Sequence, residues 1–321
     1  MLCFLINGRK RAKGRCVNNR KLNIRWKLAA GTVLAVLLVK ALLVTSCFIP
    51  SSGMENSLYQ GEGVLVNKWS YGLRLPFPSV WGYHRLGVSP VQRGDVVLFN
   101  NPKPENPGQR LEFRKLFISR CTGLPGDTLM LNHEMMDVGS PVFSPDAKSL
   151  YTYPGSKEDI LLALLDVVGI KGNTLVGYTE NGDYIRSFSA YELYLLSQKA
   201  GDYLTFTPLN QTEKNKEAYP FVVPARGYSV KVYPWNRALL CNTIVQHEGR
   251  QAQIKGDTLW VEGIPVKEYT FSKNYYWMSA NDPVNLCDSR LFGFVPEDHL
   301  IGKAWCIWFP VSWERFLQRV Q

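Results

Sequence analysis

Acidic residues are missing from the start of this 321-residue chain, where the first is Glu55. The stretch before it holds ten basic residues: Arg9, Lys10, Arg11, Lys13, Arg15, Arg20, Lys21, Arg25, Lys27 and Lys40. The whole chain carries 37 Lys plus Arg against 27 Asp plus Glu, so setting those ten aside leaves a remainder with no net charge. The excess of +10 therefore describes a tail. That excludes a nucleic-acid-binding face, which needs its positive charge on the folded domain. Histidine is scarce, with 4 in the chain. The seven cysteines (Cys3, Cys16, Cys47, Cys121, Cys241, Cys287 and Cys306) form no Cys-x-x-Cys or Cys/His cluster, so no metal and no cofactor is expected. No short period recurs, which argues against solenoids and propellers. With 45% hydrophobic and 20% charged residues, a sizeable core is possible and global disorder is excluded.

One long apolar run is present. Residues 28–48 contain a single charge, Lys40. As an α-helix this run would span roughly 31 Å, about one hydrocarbon core. Nine of the basic residues precede it. The positive-inside rule then predicts a basic cytoplasmic tail over 1–27, one transmembrane helix over 28–48 and everything beyond on the outer side of a lipid bilayer. A cleaved signal peptide would have a shorter lead and an apolar region of about 7–15 residues. Val44-Thr45-Ser46-Cys47 also resembles a lipobox, in which Cys47 would become a lipidated N-terminus. Either way the domain is held at the outer face of a membrane. Of the cysteines beyond the anchor, Cys121, Cys241, Cys287 and Cys306 allow three disulfide pairings, among which sequence does not choose.

The outer part reads as mainly β. Strand patterns fall at 63–68, 94–99, 113–122, 252–266 and 300–308, separated by Gly and Pro signals. Pro125-Gly126 fits a type II turn, because its second central position needs a positive φ. The middle differs. Ser156-x-x-Asp159 and Ser189-x-x-Glu192 each precede an apolar run and look like capping boxes, with Gly201 as a stop and Asn181-Gly182 as a hairpin turn between them. These signals predict a β-rich core over 49–130 and 221–310, an inserted smaller α/β subdomain over 131–220 and an amphipathic C-terminal tail over 311–321. The aromatic stretch Trp69, Tyr71, Phe77, Trp81 and Tyr83, together with Trp308, Phe309, Trp313 and Phe316, reads either as packing or as a bilayer-interface surface.

Four boxes behind the anchor resemble the signal peptidase I family, the membrane-anchored serine–lysine endopeptidases that remove signal peptides from exported proteins. They are Ile49-Pro50-Ser51-Ser52-Gly53-Met54-Glu55-Asn56-Ser57-Leu58, Arg93-Gly94-Asp95-Val96-Val97, Ser119-Arg120-Cys121-Thr122-Gly123-Leu124-Pro125-Gly126-Asp127, and Asp288-Ser289-Arg290-Leu291-Phe292-Gly293-Phe294-Val295-Pro296. Any one box is weak; four in order behind one anchor are specific. The resemblance implies a signal peptidase-like β fold. It also implies a single-pass protein of the bacterial inner membrane, with its N-terminus cytoplasmic and its main domain periplasmic. The implied partners are the signal peptides of exported preproteins, and beyond them the secretion machinery or an active peptidase paralogue.

The family's chemistry uses a Ser hydroxyl as nucleophile, a neutral buried Lys as its base, and a backbone amide with a nearby Ser hydroxyl at the oxyanion. The family's nucleophile immediately precedes the Met of its box; here that position is Gly53. The family's Lys immediately precedes the Arg; here that position is Ser119. A Ser that assists the Lys falls at Leu286. Glycine offers no nucleophile, and a Ser hydroxyl is not an effective general base. Ser51 matches the oxyanion position, Gly126 and Asp127 match the turn, and Asp288 with Arg290 is expected as a structural ion pair. The resemblance thus implies a retained peptide groove with endopeptidase activity impaired or lost. The alternative is an active peptidase in which Ser52 serves as a displaced nucleophile. No replacement base is evident among Lys68, Lys115, Lys303, His84, His133, His247 and His299.

Overall fold

The computed structural model describes residues 16–75, 77–106, 108–138, 147–170, 172–209, 217–285 and 287–320. Its centre is a seven-stranded antiparallel sheet. In spatial order the strands are Val44–Phe48, Gly63–Asn67, Leu300–Phe309, Val96–Asn100, Leu116–Gly123, Tyr275–Ser279 and Val295–Pro296. Two clusters flank it. One packs Ile49, Met54, Leu58, Val64, Val66, Leu98 and Ile307; the other packs Tyr71, Val97, Phe99, Met278 and Val295. The Val96–Asn100 strand feeds both, which is why all five of its residues are buried and it reads as a continuous apolar run.

The N-terminal helix runs Cys16–Leu42 and is followed by the edge strand Val44–Phe48. The helix expected over 28–48 therefore stops early. Val44 and Thr45 are β-branched, and their strand pairs with Gly63–Asn67, Val44 opposite Asn67 and Phe48 opposite Gly63. Lys40 lies in the last helical turn, where a cation complements the helix dipole. Among the described residues no helix is long and apolar enough to cross a membrane. The helix surface is nevertheless apolar and open, with Val33, Leu34, Val36 and Leu37 all more than half exposed.

Strands Thr128–Leu131 and Tyr219–Val222 pair antiparallel, with Leu131 opposite Tyr219. Between them in sequence lies a separate four-stranded sheet, ordered Thr207–Pro208, Lys148–Pro154, Asp183–Ser189, Gly177–Tyr178. Helices Glu158–Val168 and Ala190–Ala200 accompany it. Tyr153, Leu161, Leu165, Phe188 and Leu196 form its core.

Of the two expected capping boxes, the one at Ser189 is present. The Ser189 hydroxyl accepts the Glu192 amide at 3.2 Å, and the Glu192 carboxylate accepts the Ser189 amide at 2.7 Å. The one at Ser156 is absent. Pro154 leads into a 3₁₀ turn over Gly155–Lys157, so Ser156 sits inside that turn and Lys157 becomes the cap residue, with no side-chain hydrogen bond.

The C-terminal segment folds back on the long Leu300–Phe309 strand. The Ile307 amide donates to the Gln318 carbonyl at 3.0 Å, and the Val320 amide to the Trp305 carbonyl at 3.1 Å. Cys47, Cys121, Cys241, Cys287 and Cys306 are free thiols.

Candidate peptide groove at Gly53 and Ser119

The strand Val44–Phe48 delivers the chain into a short 3₁₀ turn, Ser52–Met54, entered from an extended Ser51. Met54, 2% exposed, pins the turn in the core, and the Leu58 amide donates to the Met54 carbonyl at 2.7 Å. Gly53 is buried, and its carbonyl accepts the amides of Asn281 at 2.8 Å and Asp282 at 3.1 Å. Opposite stands the strand Leu116–Gly123, on which Ser119 is 1% exposed and donates its hydroxyl to the Cys287 carbonyl at 3.1 Å.

Ser51, Gly53 and Ser119 line one cavity of about 250 Å³, together with Ile49, Met54, Leu98, Ile118, Ala280 and Cys287. The fold thus brings residues from two of the four sequence boxes around one apolar hollow, with Leu98 following the second box and Cys287 preceding the fourth. Ser52 belongs to the same turn but is not among the cavity-lining residues. Leu286 lies outside the described residues. A side chain at Gly53 would have room: a Cβ built there meets Asn285 Cγ at 3.5 Å and Ser51 Oγ at 3.7 Å, both ordinary contacts.

One edge of this hollow is open backbone. Residues 116–119 pair with Asn100, Phe99, Leu98 and Val97 on one side. On the other side the strand Tyr275–Ser279 pairs only with Arg120, Cys121 and Gly123. Among the described strands none pairs with the second edge of residues 116–119, and unpaired strand edges accept added strands.

Arg120 and Asn281 tie the boxes together, and Asn281 lies in none of the four boxes. The buried Arg120 guanidinium donates to Ser57 Oγ at 2.9 Å, to the Gly94 carbonyl at 2.8 Å and to Asn281 Oδ1 at 3.2 Å. The Asn281 side-chain amide donates in turn to Ser57 Oγ at 2.9 Å and to the Glu55 carbonyl at 3.2 Å. The only sequence signal for Asn281 was an Asn-Asp-Pro turn after an apolar strand, a pattern common in loops.

The Asp288 carboxylate, 1% exposed in its side chain, pairs with Arg290 at 2.9 Å and also accepts the Ala280 amide at 3.0 Å. It therefore holds the far wall of the cavity in place. Gly126 adopts φ +90, as the turn requires. Asp127 pairs with Arg93 and accepts the Leu124 amide at 2.7 Å.

The basic candidates are engaged elsewhere. Lys303 pairs with Asp95 at 2.6 Å, and Lys68 donates to the Lys40 carbonyl at 3.0 Å. Lys115 lines the cavity, yet it is two-thirds exposed and faces Glu105 at 3.7 Å. Lys148 reaches Glu55, two residues past Gly53, at 2.9 Å. Burial works against its charge, but the bond to Glu55 and the nearby Glu192 and Asp282 raise its pKa, so it stays an ammonium. His84 and His133 are exposed, His247 and His299 are buried in another cluster, and none of the four lines the cavity. Among the described residues no group of three His, Cys, Asp or Glu converges to hold a metal. The arrangement is a hollow with an open strand edge and two serine hydroxyls, and none of the lysines and histidines above hydrogen-bonds either hydroxyl.

These features define a β-rich domain with an apolar hollow beside an open strand edge. Residues 23–309 match the family described as "Signal peptidase, peptidase S26". The chain belongs to the signal peptidase I family. It is 27% identical over 277 residues to signal peptidase I of Buchnera aphidicola subsp. Schizaphis graminum, covering 86% of this chain and 72% of that one. It is 25% identical over 288 residues to signal peptidase I of Pseudomonas fluorescens, covering 87% and 68%. Over a shorter stretch of 99 residues it is 37% identical to signal peptidase I of Pseudomonas aeruginosa, covering 31% of each.

Proposed function

We propose that this chain binds the cleavage-site end of signal peptides of exported preproteins without cutting them. It would do so at the outer face of the bacterial inner membrane, as an accessory to secretory processing. The reading rests on one observation: the open edge of residues 116–119 borders a hollow that Gly53 and Ser119 both line. An extended peptide adds a strand there through backbone hydrogen bonds and places small side chains in the apolar hollow. Hydrolysis needs an attacking oxygen beside a group that takes its proton. Gly53 carries no side-chain hydroxyl, and the Ser119 proton is directed at the Cys287 carbonyl.

The exposed apolar face of the Cys16–Leu42 helix and the basic residues before it support membrane anchoring with the N-terminus in the cytoplasm. The secretion machinery, or an active peptidase working on the same preproteins, is the partner such a role calls for. The Ser52 alternative has less behind it. Ser52 does not line the hollow, and among the described residues no lysine or histidine nitrogen is hydrogen-bonded to its hydroxyl.

The deciding experiment incubates the purified full chain with a preprotein and separates binding from cleavage. Co-purification of uncleaved preprotein, lost on competition with a signal peptide, is the expected result. Cleavage by the wild type that Ser52→Ala abolishes would overturn the non-cutting role in favour of the displaced nucleophile. Absence of both binding and cleavage would overturn the peptide-binding role itself.

A further inference from the structure

A second cavity, of about 310 Å³, adjoins the first across Leu98 and Leu116. Its walls include Leu75, Phe77 and Ile301, and three charged residues reach it: Lys68, Arg74 and Glu112. Two buried polar atoms among them stand out. Arg74 donates through Nη1 to the Leu300 carbonyl at 3.2 Å, but its Nε has no hydrogen-bond partner among the described residues. Glu112 accepts the Ser79 hydroxyl through Oε2, while its buried Oε1 likewise has none. An unmet buried polar atom costs about 1–3 kcal/mol, more where the group is charged. The cavity therefore offers a cationic donor and an anionic acceptor to a single occupant, against an apolar wall.

Its position says which occupant. Lys68 donates to the Lys40 carbonyl, at the C-terminal end of the Cys16–Leu42 helix. Burial, then the Arg74 charge, then Lys40 hold the Lys68 pKa below its ordinary value, and Lys68 and Arg74 both line the cavity. Around them Trp69, Phe77 and Val80 are each more than half exposed. An exposed apolar helix that ends at a pair of cations, with exposed aromatic side chains beside them, is the arrangement of a membrane–water boundary.

We propose that this cavity binds the phosphodiester headgroup of a membrane glycerophospholipid. The phosphate would lie on Lys68 and Arg74, and the headgroup's hydroxyl or ammonium donor on Glu112. This goes beyond peptide binding and rests on the membrane placement inferred above, not on the groove at Gly53.

The test is native mass spectrometry of the full chain in detergent, titrated separately with phosphatidylglycerol, phosphatidylethanolamine, phosphatidylcholine and inorganic phosphate. One-to-one adducts of the first two are expected, about tenfold tighter than phosphatidylcholine, whose quaternary ammonium has no proton for Glu112. Inorganic phosphate should give no adduct at matched concentration. Lys68→Gln and Arg74→Gln should each weaken the adduct about tenfold. Glu112→Leu should erase the preference over phosphatidylcholine. Equal binding of all three lipids, phosphate binding as tight as lipid, or adducts indifferent to both Lys68→Gln and Arg74→Gln would each overturn the proposal. Circular dichroism identifies any variant that fails to fold, and the exposed end of Lys68 makes its variant the safer of the two cations. Capture of preprotein by the same sample reads the peptide-binding proposal independently.

Discussion

The backbone amide of Asn281 donates to the carbonyl of Gly53 at 2.8 Å, joining two positions 228 residues apart in the chain at the floor of the groove. The Asn281 side chain completes the joint through Ser57, the Glu55 carbonyl and Arg120. Replacing it by Ala leaves the buried Arg120 and Ser57 short of partners. Such losses cost roughly 1–3 kcal/mol each, so Asn281→Ala should lower unfolding stability by about 2–4 kcal/mol. Urea titration measures this as a lower midpoint at unchanged slope. A stability within about 0.5 kcal/mol of wild type would mean that this network does not hold the turn.

Placing Ser at position 53 and Lys at position 119 tests the proposed non-cutting role. Gly53→Ser places a hydroxymethyl group among atoms no closer than 3.5 Å to its Cβ, so stability should change by less than about 1 kcal/mol. Alone it should give no cleavage, because no base is at hand. Ser119→Lys buries an ammonium at a 1% exposed position and should cost stability while leaving the chain inactive. Together the two should yield measurable preprotein cleavage, followed by the appearance of mature product on a gel. An inert double variant that still binds peptide would show that geometry beyond the two side chains has been lost.

Much of this site was legible in the sequence because its boxes are local. The turn at Pro125-Gly126, the strand entered at Gly94-Asp95 and the ion pair Asp288–Arg290 all involve neighbours within a few residues. What sequence could not supply is long-range. Arg120 sits in a recognisable box, but its partners Ser57, Gly94 and Asn281 are brought to it only by strand pairing. The apolar run extends past the end of the helix because hydropathy does not distinguish a helical Val44 from one in a strand, and the Gly63–Asn67 partner decides it. At Ser156 a local propensity lost to the Pro154-Gly155 turn beside it.

Acid should weaken the fold through two buried histidines. His247 and His299 stack edge to face with centroids 5.3 Å apart, each under a tenth exposed. Burial first, then His299, pulls the His247 pKa down to about 3; Asp298 opposes this, while Lys273 and Arg114 add to it. Burial also lowers His299, against the raising effect of the Asp298 carboxylate 2.7 Å from its Nδ1. Glu248 is engaged by the Tyr275 hydroxyl at 2.6 Å. The unfolded chain takes up protons near pH 6.5, whereas the folded one does not until well below, so the unfolded state binds more protons in between and stability falls as pH drops. The expected slope is up to about 1.4 kcal/mol per pH unit for each histidine that stays neutral, from pH 6.5 downward. Urea midpoints at pH 7 and pH 5 measure it, and His247→Gln should flatten the dependence. An unchanged profile in that variant would assign the acid sensitivity to other groups.

The C-terminal segment should be structural, not a surface tail. Arg315 pairs with Glu62, a residue with 0% exposure, at 2.7 Å, donates to the Ser57 carbonyl at 2.9 Å and lies over the Tyr59 ring at 4.7 Å. It thus clamps the segment that follows Gly53, to which Asn281 is also bonded. Removing one partner of a buried pair strands the other's charge, at a cost of about 3–5 kcal/mol. Arg315→Ala should therefore destabilise the protein by roughly that amount, and deletion of residues 311–321 by at least as much. Arg315→Ala combined with Glu62→Gln should recover part of the loss, because the stranded carboxylate is gone. Thermal or urea unfolding of the three variants distinguishes this from simple loss of packing, which the second substitution would not repair.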